Sequence, residues 1–289
     1  MIKAADHPPP SESTSTLTEA ADHLGVHYMT VYKYVRTGRL AATKVGGGWV
    51  VDNRDLDAFV ASSSNDAQAS GPTHRHVDWS ARLGDRLVVG DEAGAWSVIE
   101  ASMASGVTPT EIYLEVLAPA LAAIGAGWAI GEVTIAEEHR ATTVTNRLIG
   151  RLGPRFNRAG RTRGTIVIGA VAGDHHAVPI AMAADLIRGQ GFSVMDLGAD
   201  SPPQSFVDAA QLADRLVAVG ISSTKGGIDD AVIATADAVR QLVGCPIVIG
   251  GNGIGEKART AHADAITTSA DAMLEAFNSI ASLKSSATS

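Results

Sequence analysis

Residues 165–178 read Thr-Ile-Val-Ile-Gly-Ala-Val-Ala-Gly-Asp-His-His-Ala-Val. The run Thr165–Val171 is short, apolar and rich in β-branched side chains, the pattern of a strand buried on both faces. Gly173, Asp174, His175 and His176 break it, and an amphipathic helix is predicted over about 178–190. The alternation then recurs. Strand-like runs at Ser193–Leu197, Leu216–Ser222, Pro246–Ile249 and Ala265–Thr268 are followed by helical patterns near 203–213, 228–242, 255–261 and 270–283. Short apolar strands separated by helices imply a parallel sheet covered on both sides, a flavodoxin-like α/β doubly wound domain over 161–289. Ligands of such sheets bind beyond the carboxyl ends of the strands. The segments that leave strands one, three and four there are Gly173–His176, Ser222–Lys225 and Gly250–Gly253. They offer an imidazole able to bind a metal, small hydroxyls at Ser222 and Thr224, and glycines at Gly250 and Gly251 that allow close backbone approach. No Lys follows the glycines as in a phosphate-binding loop, and the glycine run follows strand four, not the first strand of a dinucleotide fold.

Upstream, residues 78–160 read as a four-helix bundle, with helices at about 80–88, 92–105, 109–129 and 135–152. Asp91 and Thr108 are N-cap residues, and Thr108-Pro109-Thr110-Glu111 and Thr134-Ile135-Ala136-Glu137 are capping boxes. Apolar positions at Ile112, Leu114, Val116, Leu117, Leu121 and Ile124 recur at helical spacing. Trp128 ends the third helix, while Glu138 and His139 fall in the first turn of the fourth, so a short connection can bring the three together.

Residues 16–60 read as a winged helix-turn-helix. Thr18 is placed to cap a helix running to Leu24, and His27 or Tyr28 opens a second through about Arg36. Ala21, Gly25 and Val31 have the spacing of a tight helix crossing, and Thr43–Val51 forms two short strands around glycines, a wing. Lys33, Arg36, Arg39 and Lys44 lie between His27 and Val51 with no acid among them. That stretch suits phosphate contacts, with Tyr28, Thr30, Lys33, Tyr34, Arg36 and Lys44 as candidate residues facing double-stranded DNA. The alternative is a small helical adaptor whose basic residues are merely solvated. A Pro-, Ser- and Thr-rich stretch over 1–15 is expected to be a disordered arm, and 61–77 a linker.

The composition agrees with this plan. The 289 residues suit two or three domains, and 45% hydrophobic with 19% charged residues excludes a disordered chain. The single cysteine, Cys245, excludes a disulfide framework and multi-cysteine metal sites. A net charge of −8 argues against a protein that is basic throughout. No apolar run is expected to reach the roughly 20 residues of a membrane span, and Met1–Thr16 has no signal-peptide core, so a cytoplasmic protein without membrane contact is expected.

Asp174-x-His176 before a helix, Ser222 and Thr224 after strand three, and Gly250-Gly251 after strand four resemble the motifs of cobalamin-binding domains. The resemblance implies that His176 is the lower ligand of cobalt and that Asp174 orients its other ring nitrogen. Trp128 followed, after nine residues, by Glu138-His139 resembles the signature of the helical cap of the CarH and LitR light-responsive regulators. The order of parts is also similar: a MerR- or excisionase-like winged helix-turn-helix, a helical bundle and a cobalamin domain. In that family the tryptophan and glutamate hold the upper adenosyl group, the dark form is a DNA-binding tetramer, and light breaks the cobalt–carbon bond. By resemblance, Trp128 packs on the upper ligand and Glu138 accepts a hydrogen bond from its ribose, while His139, on the next helix, is the alternative source of a second cobalt-binding nitrogen. Two departures stand out: Pro179 replaces the motif glycine, and Ala129 stands where light sensors of this type carry a second cobalt-binding histidine. The expectation is a homo-oligomeric regulator, not an enzyme, that binds adenosylcobalamin between bundle and sheet domain and changes DNA binding with light. A corrinoid carrier for methyl transfer and a light-independent cobalamin sensor are the alternatives.

Overall fold

A computed structural model describes residues 14–24, 26, 28–36, 38–45, 48–60 and 77–287, and the side chains of Tyr28, Met29, Lys33 and Arg36 lie outside that description. The linker expected over 61–77 lies outside the described residues except for Val77, as does the arm expected over 1–15 except for Thr14 and Ser15. Two compact units, Met1–Thr145 and Asn146–Ser289, divide the chain within the helix Ile135–Leu152.

The first unit opens with a correction. Thr14 and Ser15, expected in a disordered arm, belong to strand β1 (Thr14–Thr16), which pairs antiparallel with β3 (Gly48–Asp52). Strand β2 (Thr43–Val45) pairs with the other edge of β3, with Lys44 opposite Trp49. The helix Leu17–Leu24 is capped by Thr16, not by Thr18. Glu19 N–H donates to Thr16 Oγ1 (3.2 Å) and Thr16 N–H donates to Glu19 Oε2 (2.8 Å), the reciprocal capping box for which Thr18, already inside the first turn, is misplaced. The second helix is Tyr28–Arg36, and residues 53–60 form another. Leu17, Ala20, Ala21, Val31, Leu40, Val51 and Leu56 are buried.

Four helices follow at Trp79–Val89, Glu92–Ala104, Pro109–Ala129 and Ile135–Leu152. Asp91 accepts from Gly94 N–H, and both capping boxes at Thr108–Glu111 and Thr134–Glu137 are formed. The helix Pro109–Ala129 is long and apolar enough, at 21 residues, to span a bilayer, which corrects the expectation that no run is. Its buried positions Ile112, Tyr113, Val116, Leu117, Ala120 and Ile124 form one stripe, the pattern of a bundle helix. Tyr113, fully buried, takes a place that periodicity had assigned to Leu114. Ile112–Leu117 is π-helical, with Ala118 N–H donating to Tyr113 C=O, just before Pro119, which has no N–H to continue an α-helical ladder.

The second unit holds a five-stranded parallel sheet. Its strands are β4 (Thr165–Ala170), β5 (Ser193–Asp196), β6 (Leu216–Ser222), β7 (Ile247–Gly250) and β8 (Ala265–Thr267), in the order β5-β4-β6-β7-β8. This is the flavodoxin-like order, which reverses direction between β4 and β6. Helices Ala177–Gly189, Pro203–Leu212, Asp229–Leu242 and Ala270–Ala287 cover the two faces. Ile166 and Ile168 pack with Ile180, Ile187 and Phe277, whereas Val167 packs with Phe206, Val232 and Ile249. The helix expected over 255–261 is only a 3-10 turn, Ala258–Thr260. Asp229 accepts from Gly255 and Ala258 N–H (3.0 and 3.1 Å), which ties this turn to the start of the helix Asp229–Leu242.

Candidate functional site

The loop after β4 stands at the point where the strand order reverses, and its conformation is held from both neighbouring strands. On one side, Asp200, past β5, accepts from Gly173 N–H (2.7 Å), and its own N–H donates to Asp174 C=O (2.8 Å). Asp200 has φ of 53°, a left-handed conformation that Asp adopts more readily than most residues. On the other side, past β6, the N–H groups of Thr224 and Lys225 donate to Asp174 Oδ2 (2.6 and 3.4 Å). Lys225 Nζ donates to Gly173 C=O (3.3 Å).

Asp174 is fully buried, and its other oxygen, Oδ1, accepts from His176 N–H (3.1 Å) and lies 2.6 Å from His176 Nδ1. Burial by itself would raise the Asp174 pKa. The Thr224 N–H, the His176 contacts and the imidazole charge outweigh it and hold the carboxyl below its ordinary value. An ionised Asp174 places the imidazole proton on Nδ1 and leaves the Nε2 lone pair to a metal. A single oriented imidazole, 55% exposed, would suit a metal whose other ligands come largely from a macrocycle. His175 differs from its neighbour: it lies 3.7 Å from Asp200 at the surface.

Pro179 does not disturb this arrangement. The helix starts at Ala177 after His176, so Pro179 sits in the first turn, where its missing N–H would have had no helical partner. Gly251 is required, with φ of 114° and a position where a Cβ would stand 2.2 Å from Ser223 C=O. Its closeness serves the packing of the β7 loop on the β6 loop, which Gly253 N–H bonding to Ser223 C=O (2.9 Å) completes. The sequence reading assigned Thr224 through its hydroxyl, but its backbone N–H carries the contact with Asp174. It missed Ser223, which is buried and donates to Lys225 C=O (3.0 Å), and Asp200. A polar residue flanking a glycine-rich turn is the signal by which Asp200 was findable.

In the helical segment, Trp128 is 51% exposed and Ala129 is exposed beside it. Glu138 accepts from Thr142 Oγ1 (2.8 Å) and lies 3.6 Å from His139. Among the described residues no hydrogen bond or ring contact joins Trp128 to either. Glu132, in the connection between these helices, was not anticipated: its Oε2 is shielded and, among the described residues, meets no hydrogen-bond donor, and burial raises its pKa to about 7.

Of the candidate DNA contacts, Lys44 is exposed on β2 and Thr30 is half-buried. Tyr34 is drawn into packing, with its ring 4.8 Å from that of Phe59 and the Arg39 guanidinium 4.8 Å above it. The side chains of Tyr28, Lys33 and Arg36 lie outside the described residues.

Comparison with known proteins agrees with these parts. Residues 16–64 match the family model described as a helix-turn-helix domain, and residues 79–152 and 164–278 match two models each described as a B12 binding domain. The chain thus has a helix-turn-helix plus cobalamin-binding architecture. Among curated proteins it is similar to the trimethylamine corrinoid protein 1 of Methanosarcina acetivorans, 28% identical over 134 residues, 45% of this chain and 62% of that protein. The protein of the same name from Methanosarcina mazei is 29% identical over the same shares. The chain therefore spans about 62% of the length of these relatives. Among solved structures, the monomethylamine corrinoid protein of Methanosarcina barkeri superposes with a TM-score of 0.59, at 18% identity, over 71% of this chain and 98% of that one. That likeness is one of fold.

Proposed function

We propose that the protein is a cytoplasmic transcriptional regulator whose DNA binding responds to bound adenosylcobalamin and to light. The observation that carries the reading is the Asp174–His176 pair, a buried carboxylate 2.6 Å from the imidazole, in a chain that also has a helix-turn-helix domain. Bound adenosylcobalamin supplies a light-labile cobalt–carbon bond. Asp174 Oδ1 accepts from the His176 Nδ1 side and so turns Nε2 outward as the atom that would hold the metal. Trp128, half-exposed at its helix end, is an aromatic platform suited to an adenine, and Glu138 is a carboxylate suited to a ribose hydroxyl. Ala129 provides no ligating atom, so a second protein nitrogen for bound cobalt would have to come from His139 on the next helix, and otherwise water or an exogenous ligand would serve. The basic helix and wing engage operator DNA, and the active species is a homo-oligomer.

A second reading, a corrinoid carrier in methyl transfer, is favoured by the similarity to trimethylamine corrinoid proteins. A third, sensing of cobalamin level without light, shares the same site. A gel shift with upstream DNA, with and without adenosylcobalamin, in darkness and after green light, separates them. Regulation by light requires a shift that depends on both cofactor and illumination. A shift that depends on the cofactor alone supports vitamin sensing, and no shift in any lane supports the carrier.

A further inference from the structure

The residues 147–163 carry Arg147, Arg151, Arg155, Arg158, Arg161 and Arg163 with no Asp, Glu or Lys among them, in a chain of net charge −8. Nothing in the corrinoid site uses them. Arg158 and Arg161 line a concavity of about 350 Å³ together with Asn157, Thr162, Arg188 and Ser193. The concavity lies at the amino ends of β4 and β5, whereas Asp174 and His176 follow the carboxyl end of β4. A strand of six residues separates the two, about 20 Å.

The charges in this concavity divide into two sets. Arg188 donates to Asp185 (2.7 Å), whose carboxylate is buried, so its charge is compensated. Arg163 is occupied by Gln190 C=O and Asn278 and lies 4.4 Å over the Phe192 ring. Among the described residues, no carboxylate lies within ion-pair distance of Arg158 or Arg161, which leaves an uncompensated charge of two. Thr162 Oγ1 accepts from Arg215 (2.6 Å), and the hydroxyl keeps its own proton to donate. Two guanidinium forks and a hydroxyl donor complement the charge and the oxygens of a phosphomonoester, which carries about −1.5 to −2 at neutral pH. All the cations here are Arg, the side chain that binds phosphate bidentately. A concavity of this size accommodates a small molecule, whereas a duplex requires a surface that tracks its backbone.

We infer that this concavity is a second ligand site, which binds the phosphate of a small phosphorylated molecule of mononucleotide size. The inference does not rest on the light-responsive reading, because its probes contain no corrinoid. Isothermal titration of the full chain with AMP, inorganic phosphate and adenosine tests it. Expected are saturable binding of AMP and phosphate and at least tenfold weaker binding of adenosine. Arg158→Ala/Arg161→Ala should lower AMP affinity tenfold or more. Arg158→Lys/Arg161→Lys, which keeps the charge and loses the fork, should fall between, and Thr162→Val should cost severalfold with unchanged surface charge. Absence of saturation by both AMP and phosphate, or equal AMP binding by the wild type and the double alanine variant, overturns the inference. A duplex titrated in parallel identifies the other source of phosphate. If only the duplex binds, and its affinity and salt dependence fall in the double alanine variant, the patch serves DNA and the small-ligand site is refuted.

Discussion

Asp174 is fully buried and meets four hydrogen-bond donors, two from its own loop and two from the loop after β6. Trp128 leaves half of its surface in solvent, and the Glu138 carboxylate meets Thr142 and His139, four residues and one residue along its own helix. The sheet thus presents a ligand whose orientation is set before anything binds. The helical segment presents groups of suitable chemistry that are still free to adjust. Preorganisation of the His176 side lowers the cost of ordering on binding.

The largest expected effect would break the rigid side outright. Gly251→Ala puts a Cβ 2.2 Å from Ser223 C=O at a φ of 114°, and should cost about 3 kcal/mol or more in a denaturant titration, with loss of corrinoid binding. Asp174→Asn is subtler. It keeps the shape but removes the charge that fixes the imidazole tautomer, and should weaken cobalamin retention about 10- to 100-fold by equilibrium dialysis. Because the folded Asp174 pKa is depressed, its contribution to stability is present above the ordinary carboxylate value and is lost as pH falls through the lower folded one. In the variant that acid-dependent loss should vanish. His175→Ala, which only loosens a 3.7 Å surface contact, should change retention by less than about twofold, and a larger loss would mean that the two histidines share the role.

Trp128→Ala sharpens the other side of the comparison. With half the indole already in solvent, stability should fall by about 1 kcal/mol or less. Preference for adenosyl- over hydroxocobalamin should fall about tenfold, and equal losses for both forms would make Trp128 a packing residue. The smallest effect is expected at Glu132. Its pKa of about 7 in the folded chain exceeds the unfolded value, so its carboxyl favours folding fully below about pH 4.5, and that contribution is lost as pH rises to about 7. Glu132→Gln should flatten the fall of the thermal midpoint between these values by a few degrees, and an unchanged slope would assign the fall to other groups.

Much of this was legible in the chain. The strand-and-helix alternation predicted all five strands of the sheet to within a residue or two, because short β-branched runs buried on both sides permit few other structures. Thr108, Thr134 and Asp91 announced their helix starts through local hydrogen bonding, which involves no distant part of the chain. The Asp174–His176 pairing was expected from the resemblance to cobalamin-binding motifs, and the two side chains do meet. Where the reading failed, local rules competed with remote ones. Thr16 and Thr18 are both plausible caps by type, and the pairing of β1 with β3 decides between them. The pattern over 255–261 is helical by itself, yet only Ala258–Thr260 turns, and Asp229, distant in sequence, binds the Gly255 and Ala258 amides.

Sequence alone determined the order of the parts, the identity of the imidazole and the carboxylate that orients it, and the want of a ligating atom at position 129. Tertiary structure decided what no local pattern encodes. It brought the Thr224 amide to Asp174, where with His176 it keeps the carboxyl ionised, set Asp200 to clamp the loop from the far strand, and assigned Gly251 to loop packing. It also left Arg158 and Arg161 around one concavity without a counter-charge. The physical reason is common to all of these. Hydrogen bonds and charges act through distance in space, and only the register of β4 between β5 and β6 brings these distant segments within reach.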